Sequence, residues 1–244
     1  MSGELRVLPV AGMPEVREGD QVGKLIAERV ELQSGDVVVI SQKIVSKAEG
    51  RMRKLSEITP SEQARELAKK LGKEAALVEL VLSESREVLR SERVLITETH
   101  HGFVCANAGI DTSNLLEDGT ACLLPQDPDA SARRIRAEIT GAPGVVIADS
   151  FGRAWRLGQT EVAIGCAGLQ PLDDWRGRRD ASGRELTATA IAIADEVAAA
   201  ADLVRGKDEG VPAAVVRGLS RYVGAEDGPG ATVLRRPPEE DLFR

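Results

Sequence analysis

Short, unbroken apolar runs alternate with longer amphipathic stretches along this chain. GVVIA precedes Asp149, and PAAVV precedes Arg217. Runs of this length, rich in valine and bounded by turn residues, predict strands, the first of them buried. DVVVISQKIVSK reads as one more buried strand, ending among its lysines, and RVLPV (6–10) as a short one. RVLITET and FVCANAG flank His100, His101 and Gly102, a pattern that predicts a β-hairpin with the histidines at its tip.

Elsewhere the apolar spacing lengthens to three and four residues, the period of a helix. Helices are expected from about Val22 to Val30 and from about Glu74 to Leu89. Between them, Thr59, Pro60 and Glu62 have the order of a capping box, opening a helix through SEQARELAKKL that stops at Gly72. Asp127-Pro128 opens another to about Ile139, ended by Gly141 and Pro143. The Ala-rich RELTATAIAIADEVAAAADLV (184–204) predicts a long buried helix. The result is a mixed α+β chain without regular βαβ alternation, internal repeats or a clear linker. Its last segment, EDGPGATVLRRPPEEDLFR, is polar and rich in Pro and Gly, and predicts a surface tail or a partner contact.

Composition narrows the function classes. Aromatics make up only 2%, so Ala, Val, Leu and Ile must supply the core. A net charge of −7 disfavours nonspecific nucleic-acid binding, which wants a basic face. Cys105, Cys122 and Cys166 form no CxxC pair, and the two histidines are adjacent, so reduced thiols are expected and a structural zinc site is not. No apolar run approaches the ~20 residues of a membrane span, and MSGELRVLPV lacks the layout of a signal peptide. A cytoplasmic protein, with no membrane or nucleic-acid partner, is expected.

Two carboxylates stand where predicted strands hand over to loops: Asp111 in NAGIDTSN and Asp149 in IADS. Such a pair suits Mg²⁺ or Mn²⁺, which take hard oxygen ligands and leave room for phosphate, and Ser150 adds a hydroxyl. Each Asp could equally cap a turn or helix. Lys43 and Lys47 follow one predicted strand, and Arg153 and Arg156 follow another; they suit a metal-bridged polyphosphate or a solvated surface. The Gly-rich pieces AGMP, RGKDEG and GAEDGPG match neither GxxxxGK[ST] nor a strand-to-helix GxGxxG. The residues alone thus point to a metal-dependent enzyme that uses a phosphate compound.

Longer motifs carry more. VLPVAGMPEVREGD, GDVVVISQKIVSKAEGR, CANAGIDTSN, LLPQDPDASA, IADSFGRAWRLGQTEVAIGCAGL, DWRGRRDASGRELTAT and VPAAVVRG occur in this order. Together they resemble the coenzyme F420 γ-glutamyl ligase family over nearly the whole chain. The resemblance implies GTP-dependent addition of L-glutamate to F420-0, then of a γ-linked glutamate to F420-1, through an acyl phosphate. It implies two intertwined α+β lobes in a butterfly-like homodimer. Some bacterial members carry an added flavin-reductase-like domain; here a stand-alone form is expected, one domain over residues 1–244. By motif, Ala11, Gly12, Met13, Pro14, Gln42, Lys43, Lys47, Asn114, Arg205, Gly206, Lys207 and Asp208 would bind the nucleotide. Asp111, Asp149 and Ser150 would hold Mg²⁺ or Mn²⁺, with K⁺ a further candidate, and Arg153 and Arg156 would meet substrate or phosphate. One position departs from the family pattern: archaeal members have an acidic metal ligand where this chain has Lys207. A protonated lysine cannot ligate, so Asp208 or Glu209 takes over or the second ion is held differently. A ligase for another carboxylate acceptor, and a non-catalytic F420- or nucleotide-binding protein, remain the alternatives.

Overall fold

The computed structural model describes residues 3–113, 115 and 117–242. In chain order the elements are β1 (Arg6–Pro9), α1 (Val22–Ala27), β2 (Val37–Ser41), α2 (Gln42–Ala48), β3 (Met52–Lys54), α3 (Glu62–Leu71), α4 (Ala75–Ser83), β4 (Ser85–Arg90), β5 (Ile96–Thr99), β6 (Val104–Ala106), β7 (Thr120–Cys122), α5 (Pro128–Ala137), β8 (Gly144–Arg153), β9 (Arg156–Ala167), β10 (Asp173–Asp174), β11 (Ala190–Ile191), α6 (Ile193–Asp202) and β12 (Ala213–Arg217). The class is α+β, as expected.

The main sheet runs β1-β12-β2-β8-β9, with β2 and β8 parallel and the other pairs antiparallel. Both faces are covered, which is why its central strands read as continuous apolar runs. Val38, Ile40, Val145, Ile147 and Val215 face Val22 and Ile26 of α1 and Ile135 of α5. The alternate residues Val37, Val39, Val146 and Val216 face Val197, Ala198 and Ala201 of α6. Alanines on that helix let it lie close to the sheet, so few aromatics are needed. Helices α3 and α4, the sheet β4-β5-β6 and the β3-β7 pair pack around two smaller cores centred on Val78, Val81, Leu95, Leu80 and Ala121.

Several predicted boundaries shift, each for a local reason. β2 ends at Ser41, and the lysines lie on α2 instead of trailing a strand. Ile44, Val45 and Ala48 have helical spacing, and Ile44 and Val45 are buried. The cap of α3 is Ser61, not Thr59: its Oγ accepts from Ala64 N at 3.2 Å and donates to Glu79 Oε2 at 2.6 Å. Gly72 closes that helix in the left-handed conformation, as predicted. α4 stops at Ser83, because the Ser83 and Ser85 hydroxyls donate back to the Leu80 and Val81 carbonyls. Ser85–Arg90 then pairs with β5 instead of continuing the helix. The long Ala-rich helix begins only at Ile193; residues ahead of it pair with the 173–180 stretch through Trp175 N to Thr189 O and the Arg179–Glu185 bridge.

The His100–Gly102 hairpin forms between β5 and β6. The C-terminal stretch is packed, not a free tail, through Arg235. Asp129 of α5 accepts from Ala231 N at 2.7 Å and Thr232 Oγ1 at 2.9 Å. Arg136 donates to the Gly224 and Ala225 carbonyls and pairs with Asp227 at 2.7 Å.

Candidate active site

β8 runs past Asp149 as far as Arg153, so Asp149 sits inside a strand and not at its end. One step earlier the β8–β9 ladder slips: Ile147 pairs with Gly165 but Ala148 with Ala163, leaving Ile164 as the extra residue of a bulge. A bulge bends its strand and re-aims the side chains beyond it. Asp149 and Ser150 follow directly, and Ser150 lies opposite Glu161 on β9.

Asp111 approaches from beside β7. It bridges Cys122 of β7 by paired backbone hydrogen bonds, Asp111 N to Cys122 O at 3.0 Å and Cys122 N to Asp111 O at 2.8 Å. Its side chain pairs with Lys43 at 2.8 Å and accepts from Ser113 N at 2.7 Å. Burial alone would raise its pKa; the Lys43 and Ser113 contacts outweigh that and lower it. Asp149 differs. Burial first, and then the Glu161 carboxylate, push it up to about 7, and it makes no ion pair among the described residues. An under-compensated carboxylate beside Asp111 and the Ser150 hydroxyl is a set of hard oxygen donors with room for a cation.

These groups open on a cavity of about 370 Å³. Gln42, Lys43 and Lys47 of α2 line it, as do Met13 and Pro14 of the first loop and Arg205, Gly206 and Lys207 after α6. Gln42 is held by Ser46 Oγ, which donates to its Oε1 at 2.9 Å. Lys47 is paired with Glu15 on the same wall. Lys207 donates to Ser150 Oγ at 2.8 Å, and Ser150 donates onward to Glu161 Oε1 at 2.6 Å. Glu161 and Arg205 form an almost fully buried ion pair at 3.1 Å beneath them.

Ala11, Gly12 and Asp208 do not line this cavity, and neither does Glu209. Asn114 lies outside the described residues. Arg153 and Arg156 flank the turn of the β8–β9 hairpin, where Arg153 donates to Leu157 O at 2.8 Å. Because the strand continues, four residues at ~3.3 Å each carry them roughly 13 Å beyond Asp149. The histidines do not line the cavity either: His100 bonds Ser83 O and His101 bonds Pro125 O. The three cysteines are free and buried. Among the described residues, no three His, Cys, Asp or Glu are grouped to enclose a metal. An ion at Asp111 and Asp149 would therefore complete its shell with substrate or water oxygens.

Sequence reasoning missed Glu161, the anchor of Ser150, Arg205 and Lys207. Its only signal was a carboxylate at the mouth of the apolar run VAIGCA; the pairing that puts it opposite Ser150 needs the strand register.

A fold of this mixed type, with paired carboxylates and several cations on one cavity, has the polar, concave site of an enzyme. The sequence profile of the F420-0:gamma-glutamyl ligase family matches residues 12–218, and the chain belongs to that family and is an enzyme of the ligase class. It is 47% identical to the coenzyme F420:L-glutamate ligase of Methanothermobacter thermautotrophicus, over 98% of this chain and 99% of that one. The ligase of the same name from Archaeoglobus fulgidus is 45% identical, over 98% and 96% of the two chains. That from Methanocaldococcus jannaschii is 42% identical over the full length of both.

Proposed function

We propose that the protein joins L-glutamate to coenzyme F420-0, and a second, γ-linked glutamate to F420-1, at the expense of GTP. The observation that carries this is the convergence of Asp111 and Asp149 with Lys43, Lys47 and Lys207 on one cavity. The names of the relatives support the coenzyme and the amino acid.

A carboxylate resists an amine because oxide is a poor leaving group, and phosphorylation corrects that. An oxygen of the acceptor carboxylate bonds to the γ-phosphorus as the β–γ bridge breaks, and the electron pair leaves on GDP. The glutamate amine then forms the C–N bond, loses a proton, and expels phosphate. In this reading Lys43, Lys47 and Lys207 meet phosphate oxygens, with Gln42, Met13, Pro14 and the loop from Arg205 to Lys207 around the nucleotide. Asp111, Asp149 and Ser150 would hold Mg²⁺ or Mn²⁺, which when bound neutralises charge on the transferring phosphoryl group. K⁺ belongs in the assay as a further candidate ion. The active unit is a homodimer in this proposal, which the exposed Trp155 and Leu157 at the β8–β9 tip favour. GTP as co-substrate fits a cytoplasmic reaction.

Incubation with F420-0, glutamate, GTP and Mn²⁺, read by mass spectrometry, tests this. The expected products are F420 species heavier by one and then two glutamyl residues, with matching GDP and phosphate. Absence of both products and GDP overturns the proposal; ATP in place of GTP fixes the nucleotide preference.

A further inference from the structure

The slip in the β8–β9 ladder decides which side chains meet at the site. Before it, Val145, Val146 and Ile147 pair with Ala167, Cys166 and Gly165; after it, Asp149 pairs with Val162 and Ser150 with Glu161. In an unbroken ladder Asp149 would stand opposite Ala163, Ser150 opposite Val162, and Glu161 opposite Phe151. Side chains alternate along a strand, so a slip of one residue also sends each to the other face. Ala163 packs on the α6 side of the sheet, and Glu161, two residues away, shares that face. Without the slip, Glu161 would point away from Arg205 and Lys207.

Two carboxylates from different helices clasp this stretch. Cys166 N donates to Asp129 Oδ1 of α5 at 2.9 Å, and Ala163 N donates to Asp195 Oδ1 of α6 at 2.9 Å. Between them, Gly165 lies so close to Pro128 that the proline carbonyl leaves no room for a Cβ. Asp129 also secures the C-terminal stretch, through Ala231 N and Thr232 Oγ1. The Ala163 amide is the one hydrogen-bond partner of the Asp195 side chain among the described residues. Burial raises the Asp195 pKa, and the Ala163 N–H offsets only part of that. A carboxylate kept half-buried without a cation is a cost to the fold, eased only by its place in the first turn of α6.

Asp195 does not line the cavity of Asp111 and Asp149. It reaches that cavity through backbone, and its own helix reaches it again. α6 ends at Asp202 and the chain runs on to Arg205 and Lys207, which lie 3.1 Å and 3.5 Å from the Glu161 carboxylate. One helix and the loop after it thus grip β9 at Ala163 and at Glu161.

We propose that Asp195 is a positioning residue for the reaction: by holding the Ala163 amide it fixes the bulge, and with it the register that sets Ser150 against Glu161 and Asp149 at the cavity. Its part in turnover rests on the ligase function proposed above. A carboxylate with a purely structural part would change stability and leave metal binding and turnover of the folded protein alone.

Asp195→Ala removes the acceptor, whereas Asp195→Asn keeps an oxygen in its place. In Asp195→Ala, kcat at saturating substrates should fall roughly 10- to 100-fold, the scale on which ångström displacements act. Hydrogen exchange at the Ala163 amide should quicken roughly tenfold or more relative to the amides of β2. Mn²⁺ binding to the protein without nucleotide, followed by electron paramagnetic resonance, should weaken as well. Asp195→Asn should stay within about threefold of wild type in all three, since a neutral oxygen still accepts the hydrogen bond. Asp195→Ser, whose hydroxyl is too short to reach Ala163 N, takes the place of Asp195→Ala should that variant fold poorly. Wild-type kcat and Mn²⁺ affinity in the folded variant would show that the bulge keeps its register unaided, and would overturn the proposal. Equal losses in Asp195→Asn and Asp195→Ala would overturn it too, by assigning the effect to charge. A wild-type protein that does not extend F420-0 removes the ligase function alone; exchange at Ala163 and Mn²⁺ binding still decide whether Asp195 sets the register.

Discussion

Ser150 and Glu161 face each other across β8 and β9, and the serine hydroxyl donates to Glu161 Oε1 at 2.6 Å. The same hydroxyl accepts from Lys207, whose ammonium is 3.5 Å from that carboxylate oxygen. A lysine on a solvent-exposed loop is thereby held at the edge of the carboxylate pair. Lys207→Ala should lower turnover roughly 10- to 100-fold, the scale of removing one group that stabilises transition-state charge. Its melting temperature should hardly change, since the Ser150–Glu161 contact survives. Lys207→Glu should make turnover depend more steeply on divalent metal, because it adds a carboxylate beside Glu161. Metal titrations of turnover for the three proteins check both; full activity of Lys207→Ala would contradict the role.

The Glu161–Arg205 pair beneath is 6% and 5% exposed at its side chains. Removing one partner of such a pair leaves an uncompensated buried charge, at a cost of about 3–5 kcal/mol, while replacing both is often nearly neutral. Glu161→Gln should therefore unfold at much lower denaturant concentration than wild type. Adding Arg205→Met should restore most of the loss. A double-mutant cycle by urea unfolding measures the coupling, and additive losses would show that the two side chains act independently.

Asp149 should trade stability for function. Its pKa is raised to about 7, by burial and then by Glu161, against about 3.9 in an unfolded chain. The folded protein thus binds this proton more tightly than the unfolded one, so the contribution to stability falls as pH rises from about 4 to 7. Asp149→Asn abolishes that loss. In chelator-treated protein the variant should be more stable than wild type at pH 8, and the two should converge near pH 4. Its turnover should drop ~100-fold or more, as should that of Asp111→Asn. Equal stability of Asp149→Asn and wild type at pH 8 would show that the buried charge is compensated in some other way.

The legible parts of this chain were those set by local chemistry. Valine runs bounded by turn residues marked β2, β8 and β12, and Asp127 before Pro128 marked the start of α5. The carboxylates Asp111 and Asp149 and the lysines Lys43, Lys47 and Lys207 were all singled out, and all line one cavity. What failed depended on partners distant in sequence. The Ser85–Arg90 stretch has helical spacing but pairs with β5, and residues 184–191 pair with the 173–180 stretch. Arg153 and Arg156 fall beside the carboxylates only if the strand ends at Asp149; hairpin pairing with β9 extends it and carries them away. Glu161 becomes meaningful only once β9 is set in register against β8.

Asp129 gives a test of how the C-terminal stretch is secured. Its carboxylate lies buried on α5 and accepts from Cys166 N at 2.9 Å, Ala231 N at 2.7 Å and Thr232 Oγ1 at 2.9 Å. One side chain thus ties β9 and the segment after Gly230 to the same helix. Asp129→Ala would strand the two backbone donors in a region with little water. Each unsatisfied buried donor costs about 1–3 kcal/mol, so a loss of roughly 3 kcal/mol is expected. Asp129→Asn should cost less, because its side-chain oxygen can still accept from one or two of the donors. Hydrogen exchange gives the sharper readout: amides of Cys166 and Ala231 should lose protection together in Asp129→Ala, while those of β2 keep theirs relative to global unfolding. Loss of protection at Ala231 alone would mean that β9 is held by its ladder to β8, without help from this carboxylate.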